Sequence, residues 1–161
     1  MSFTTANLCN QFATQANFQI AESIFTLFGK NRRFCGKIST LKVFEDNSLV
    51  KTTLSQDGKD RVLVIDGGGS RRCALLGEKL ASLALANAWE GIVIYGCIRD
   101  AELLAELPIG IMALNTHPMP SRKHGQGNTD VVVTFAGVNF KKDHYLYADS
   151  DGIIVAEAKL D

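Results

Sequence analysis

The chain has 161 residues, 46% hydrophobic and 21% charged, the balance of an ordinary soluble globular protein and enough for a single domain, 1–161, with a core of its own. Seventeen basic residues balance seventeen acidic ones, so no net field draws the chain to nucleic acid or to an anionic membrane, and direct binding to either is not expected. The longest uncharged apolar stretches, such as Ala81 to Trp89 and Gly91 to Ile98, fall short of the roughly 20 residues a membrane-spanning helix needs, and MSFTTANLCNQF lacks the basic-then-apolar layout of a secretory signal, so a cytoplasmic location is expected.

The opening TTANLCNQFA offers hydroxyl residues as helix caps and sets Leu8, Cys9 and Phe12 on one face, which predicts a short first helix. After AESIFTLFGKNRR and its turn-like GKN, the segment FCGKISTLKVF, with Ile38, Thr40, Leu41 and Val43, predicts a strand. Asn47 stands where an N-cap belongs, ahead of Leu49, Val50, Thr53 and Leu54 at helical spacing; Asp57-Gly58 ends that helix. The unbroken apolar run Val62 to Ile65 suits a strand covered on both faces. GEKLASLALANAW then reads as a helix and EGIVIYG as the next strand. That order predicts neighbouring parallel strands joined by a right-handed crossover.

Arg99-Asp100 follows the second of these strands. AELLAEL reads as a short helix, with Asp100 at its cap and Pro108 ending it, and IGIMALN as a third strand. HPMPSRKHGQGN has the composition of an exposed loop. Beyond it the pattern is purely β: DVVVTFAG, VNF, DHYLYAD and GIIVAEA. Asp149-Ser150-Asp151-Gly152 reads as a hairpin turn, because a calcium loop needs a later acidic ligand.

Chemistry-bearing residues are sparse. Cys9, Cys35, Cys73 and Cys97 never approach C-x-x-C spacing, and His117, His124 and His144 show no H-x-x-x-H; if a metal is bound, its ligands are expected to be oxygens. The turn Asp66-Gly67-Gly68-Gly69-Ser70 allows positive φ and close backbone approach, but Arg72 stands where a dinucleotide fingerprint needs its last glycine. A packed turn and an anion cradle both stay open there, with Asp66 expected to hold loop amides. Arg71-Arg72 reads as a carboxylate clamp or as a solvated loop. In a βαβ unit the start of the crossover helix adjoins the end of the next strand, which brings Glu78, Arg99 and Asp100 toward one rim. The competing account has Glu78 serving the helix dipole, Asp100 capping a helix and Arg99 pairing with either.

Taken together, LKVFEDN, RVLVIDGGGSRRCALLGEKLA, WEGIVIYGCIRD and LYADSDGIIVAE resemble the family of the regulator of ribonuclease activity A, RraA, which also contains 4-hydroxy-4-methyl-2-oxoglutarate aldolases. The likeness runs from about Thr5 to Glu157. It implies an α/β fold, an αββα sandwich also called a swivelling β/β/α domain. It also implies ring-shaped homotrimers, or dimers of trimers, with sites at subunit boundaries. In that family an acidic residue, twenty intervening residues and then Arg-Asp mark the aldolases; Glu78, the twenty residues Lys79 to Ile98, and Arg99-Asp100 meet the pattern.

By that resemblance Asp100 is the direct ligand of a divalent cation, Mg²⁺ or Mn²⁺, with waters completing the shell. Arg99 binds the carboxylate or developing enolate of a small 2-oxo acid. Backbone amides of Leu75, Leu76, Gly77 and Glu78 hold the pyruvyl end, and Glu78 positions or deprotonates a metal-bound water or the substrate hydroxyl. The implied enzyme is a carbon–carbon lyase: an aldolase that cleaves 4-hydroxy-4-methyl-2-oxoglutarate to two pyruvates, with oxaloacetate decarboxylation through the same enolate. The implied alternative is a non-catalytic regulator that binds and inhibits an RNA-degrading endonuclease. Older labels for such proteins name a demethylmenaquinone methyltransferase, but nothing in the chain looks like a methionine-cofactor site. Loops, Ser121 to Asn128 from a neighbouring subunit among them, are expected to select the substrate's outer substituents.

Overall fold

In the computed structural model, which describes residues 2–160, the apolar runs Arg61–Asp66 and Gly91–Ile98 lie side by side as parallel strands. The elements in chain order are α1 (Thr5–Phe12), β1 (Gln19–Ile20), β2 (Thr26–Leu27), β3 (Phe34–Lys42), α2 (Ser48–Leu54), β4 (Arg61–Asp66), β5 (Ala74–Leu76) and α3 (Glu78–Ala86). They continue with β6 (Gly91–Ile98), α4 (Ala101–Leu104), β7 (Gly110–Thr116), β8 (Asn128–Thr129), β9 (Val133–Phe135), β10 (Val138–Phe140), β11 (Tyr145–Asp149) and β12 (Gly152–Ala156). The main sheet runs β1-β12-β11-β3-β4-β6-β7-β2, with β5 added to β6 and β8 to β3, while β9 and β10 form a separate hairpin. Its centre, β3-β4-β6-β7, is parallel; the flanking strands are antiparallel.

Strand alternation sorts the buried side chains into three apolar layers. Leu63 and Ile65 of β4, with Ile92 and Ile94 of β6, meet Val50, Leu54, Ala81 and Ala84 of the helices. From the opposite face Val62, Val64 and Val93 meet Leu146, Ala148, Ile153 and Val155 of β11 and β12, with Phe135 and Phe140 of the small hairpin between them. The outward residues Tyr147 and Ile154 of β11 and β12 pack beneath Phe3 and Leu8 of the α1 region. The result is the expected αββα sandwich, α1 on one outer face and α2 to α4 on the other. Both faces of β4 are fully buried, which is why its sequence shows no polar alternation. Each such Val, Leu or Ile contributes roughly 1.5–3 kcal/mol by leaving water.

α1 starts as expected, with the Thr4 hydroxyl accepting from the Asn7 amide at 3.1 Å. Its first turn is also tied to the far end of the chain. Asp149, the last residue of β11, accepts from the Thr5 amide at 2.8 Å and the Thr5 hydroxyl at 2.6 Å. Burial pushes the Asp149 carboxyl up, but these bonds and one from the Asp151 amide outweigh it and hold the group below the ordinary aspartate value.

Four short strands depart from the sequence reading. β1, β2, β5 and β8 span two or three residues each, too few for a period to show. They exist because long strands offer them an edge. β5 matters most: Leu75 and Leu76, which the sequence pattern assigns to no strand, are buried strand residues paired with the end of β6. The loop read as exposed is also held at points, with Ser121 buried and β8 paired to β3. No helix among the described residues is long and apolar enough to cross a membrane.

Candidate functional site

β5 and β6 end side by side, so the residues that follow each strand share a corner. The Arg99 amide donates to the Leu76 carbonyl at 2.9 Å, which fixes Gly77-Glu78 against Arg99-Asp100. Gly77 allows the approach: a Cβ there would stand 2.8 Å from Asp100 Oδ2 and 3.3 Å from Arg99 Cγ. Asp100 occupies the N-cap position of α4 with a left-handed backbone, φ 60° and ψ 40°, a conformation aspartate tolerates better than most residues. Its side chain does not cap α4, as the sequence alone suggested. Oδ2 accepts instead from the Glu78 amide at 2.9 Å, at the start of α3, where the helix dipole favours negative charge. Oδ1 has no hydrogen-bond partner among the described residues.

Glu78 is half-buried, and its Oε1 accepts from the Ser82 hydroxyl one turn along α3 at 3.0 Å. Arg99 pairs with neither acid; its only polar side-chain contact among the described residues is a long one, 3.5 Å, to the Pro118 carbonyl. Both guanidinium and carboxylates line a cleft of about 680 Å³. Leu76 and Gly77 line it beside them; Leu80, Leu83 and Leu103 supply an apolar surface, and Asn47, Ser48 and Lys51 of α2 join Pro120 and Lys123 on the remaining rim.

The α2 rim is built around two neighbours that sequence reasoning did not single out for the site. Asn47, at the N-cap position, makes no cap bond with its side chain; it donates to the Leu75 carbonyl at 3.3 Å and so steadies β5. The bond to the first turn comes from Asp46, which is 1% exposed and accepts from the Ser48 amide at 3.0 Å. Its other oxygen accepts from the amides of His124, at 2.7 Å, and Gln126, at 3.4 Å. Burial pushes the Asp46 carboxyl up, but the Ser48, His124 and Gln126 bonds hold it below the ordinary value. The loop at 121–127 is thereby stitched to the start of α2. An N-cap and an exposed loop are each legible in the sequence, but their contact is not, since 78 residues separate Asp46 from His124.

The glycine-rich turn resolves as a packed turn. Gly68 and Gly69 have φ of 68° and 71°, and the Gly68 amide donates to Asp66 Oδ1 at 2.9 Å, as expected of Asp66. The amides of Gly67 and Gly69 both donate to the Tyr95 carbonyl at 3.1 Å, so all three amides have partners within the chain. Arg72 grips Glu45 with two bonds, at 2.6 and 2.9 Å, and lies over the Phe44 ring. Those bonds, with one from Ser70, hold the Glu45 carboxyl below its ordinary value. Arg71 is exposed. Among the described residues no group of three or more His, Cys, Asp or Glu side chains is placed to hold a metal.

A family model described as RraA-like: Aldolase/RraA matches residues 5–155. The chain belongs to the RraA-like family. A Methylococcus capsulatus relative named "Putative 4-hydroxy-4-methyl-2-oxoglutarate aldolase" is 58% identical over 160 residues, 99% of each chain. Among solved RraA-like structures, a Thermus RNA-processing inhibitor, RraA, is 40% identical with a TM-score of 0.93, covering 98% of this chain and 94% of its own. A Geobacillus kaustophilus protein described as an S-adenosylmethionine:2-dimethylmenaquinone methyltransferase is 46% identical with a TM-score of 0.95, covering 98% and 97%. The same fold thus carries an aldolase, an inhibitor and a methyltransferase label, and the site must discriminate among them.

Proposed function

We propose that the protein is a divalent-metal-dependent aldolase that cleaves 4-hydroxy-4-methyl-2-oxoglutarate to two pyruvates, with secondary oxaloacetate decarboxylase activity. The carrying observation is the corner itself: Gly77 lets Asp100 fold back onto α3 through one oxygen, while among the described residues the other has no hydrogen-bond partner and Arg99 pairs with no carboxylate. The names of the aldolase relatives support the same reaction.

The residues fit a hard cation held by one carboxylate. Asp100 is exposed and lines the cleft, and among the described residues its Oδ1 is unengaged and no group of three or more His, Cys, Asp or Glu side chains forms a closed cage. Mg²⁺ and Mn²⁺ suit such a site, since Mg²⁺ retains several waters. When bound, the cation supplies Lewis-acid stabilisation of the enolate charge. The protein's own groups do the rest. The Arg99 fork pairs with the 2-oxo acid's carboxylate. Glu78, one oxygen steadied by Ser82, accepts the proton of the C4 hydroxyl. The O–H electrons form the new carbonyl as the C3–C4 bond breaks, the bond's pair stays on C3 as pyruvate enolate, and protonation there gives the second pyruvate. Oxaloacetate loses CO₂ to reach the same enolate.

In this reading the chain works as a homotrimer with sites at subunit boundaries. Leu103, on the cleft rim, and Met119 are 56% and 60% exposed in the single chain, apolar surface that a neighbouring copy would cover. Sedimentation analysis tests that assembly. The reaction is tested by pyruvate release from a panel of 4-hydroxy-2-oxo acids and oxaloacetate, with and without chelator. Activity that chelation abolishes is expected; no pyruvate from any of them with Mg²⁺ or Mn²⁺ overturns the reading. The similarity to an RNA-processing inhibitor favours a second reading, docking on an RNA-degrading endonuclease. Binding to the endonuclease that survives both Asp100→Ala and chelation would support it.

A further inference from the structure

4-Hydroxy-4-methyl-2-oxoglutarate carries a carboxylate at each end, and Arg99 and Asp100 account only for the 2-oxo acid end. The cleft holds more positive charge than that end needs. Lys51, Lys79, Lys123 and Arg99 line it against Glu78 and Asp100, a formal excess of two positive charges in a chain whose net charge is zero. None of these three lysines has a carboxylate within salt-bridge distance among the described residues, whereas Arg61, Arg72, Arg122 and Lys142 each have one. Unpaired cations gathered in a concave site raise the local concentration of anions.

Two of the lysines share one scaffold. Lys51 follows Asn47 and Ser48 by four and three residues, which places all three on one helix face, and all three line the cleft. Lys123 lies between two anchored neighbours. The Arg122 amide donates to the Glu45 carbonyl at 2.9 Å and its carbonyl accepts from the Asn47 amide at 3.0 Å, while the His124 amide is held by Asp46 at 2.7 Å. Asp46 therefore fixes the backbone of Lys123 to the same helix start that carries Lys51. Lys79 belongs to the other wall, next to Glu78 in the first turn of α3.

We propose that Lys51 and Lys123 bind the distal carboxylate of the substrate, making the site selective for 2-oxo acids whose C4 bears an anionic group; this rests on the aldolase reading. Lysine suits the task because its long stem and point charge follow a carboxylate that moves away as the C3–C4 bond breaks.

The test compares kcat/KM for 4-hydroxy-4-methyl-2-oxoglutarate with that for 4-hydroxy-2-oxopentanoate, which has the same reacting atoms and no distal carboxylate. It uses the native protein, Lys51→Met, Lys123→Met and the corresponding arginine variants, with Mg²⁺. The native protein is expected to prefer the dicarboxylate by about tenfold or more, and each methionine variant to cut that ratio by about fivefold or more, chiefly through KM. The arginine variants are expected to stay within about threefold of native, because the charge is kept. If the native protein cleaves the dicarboxylate but its KM and the ratio move less than twofold in both methionine variants, the assignment is overturned and the aldolase reading stands. If the native protein cleaves neither compound, both fall together.

Discussion

Two aspartates stand at the same edge of two neighbouring parallel strands, Asp66 ending β4 and Asp100 just beyond β6, and the two use their carboxylates differently. Asp66 accepts from the Gly68 amide two residues ahead and closes its own turn, in which the Gly67 and Gly69 amides donate to the Tyr95 carbonyl. Asp100 reaches 22 residues back to the start of another helix, and its other oxygen has no hydrogen-bond partner among the described residues and stands beside a cleft. Each carboxylate accepts a single amide among the described residues, so the difference lies in position: Asp66 closes its own turn away from the cleft, whereas Asp100 joins two elements and lines it.

The sharpest way to break this comparison is at Asp100. Asp100→Ala should lower pyruvate release by about a hundredfold or more while the melting temperature falls little, since the side chain is exposed. Equal activity in the variant would erase the distinction between the two aspartates. Next comes Gly77→Ala, whose Cβ would meet Asp100 Oδ2 at 2.8 Å. Moving that carboxylate should cost about tenfold in kcat/KM, a displacement effect visible in activity before stability.

Structural carboxylates should show themselves in acid instead. Asp149 and Asp46 are held below the ordinary aspartate value, so their stabilisation is complete above about pH 4 and is lost as pH falls through their folded values. Urea midpoints measured between pH 6 and 3 should therefore decline at the acid end. Asp149→Asn should reduce that decline and lower stability by roughly 1–3 kcal/mol at neutral pH. The smallest effect is expected in the other turn: Gly68→Ala, at φ 68°, should cost roughly 1 kcal/mol by thermal melting and leave pyruvate release intact. Loss of activity there would return the glycine-rich turn to the site.

Much of this was legible in the chain because long elements announce themselves. The runs at Val62 to Ile65 and Gly91 to Ile98, separated by an amphipathic helix, predicted the central parallel pair, and the crossover carried Glu78 toward Arg99-Asp100. What stayed hidden depends on non-local partners. β5 is a strand only because β6 offers it an edge, and that pairing, more than helix capping, positions Gly77. Asp100 keeps the N-cap place that its sequence suggested while its side chain serves α3, a choice set by the left-handed backbone and the missing Cβ at Gly77. Asp46 gives no signal of its own beside Asn47 in the sequence, because its partners lie in a loop about half the chain away. The lysines of the cleft carry no sequence signal; only the fold gathers them.

The central claim is that the free oxygen of Asp100 makes this corner a cation site. Mn²⁺ titration followed by electron paramagnetic resonance, comparing native protein with Asp100→Asn in the presence of pyruvate, measures it directly. Saturable binding in the native protein and its loss in the variant are predicted; equal binding by both would contradict the claim.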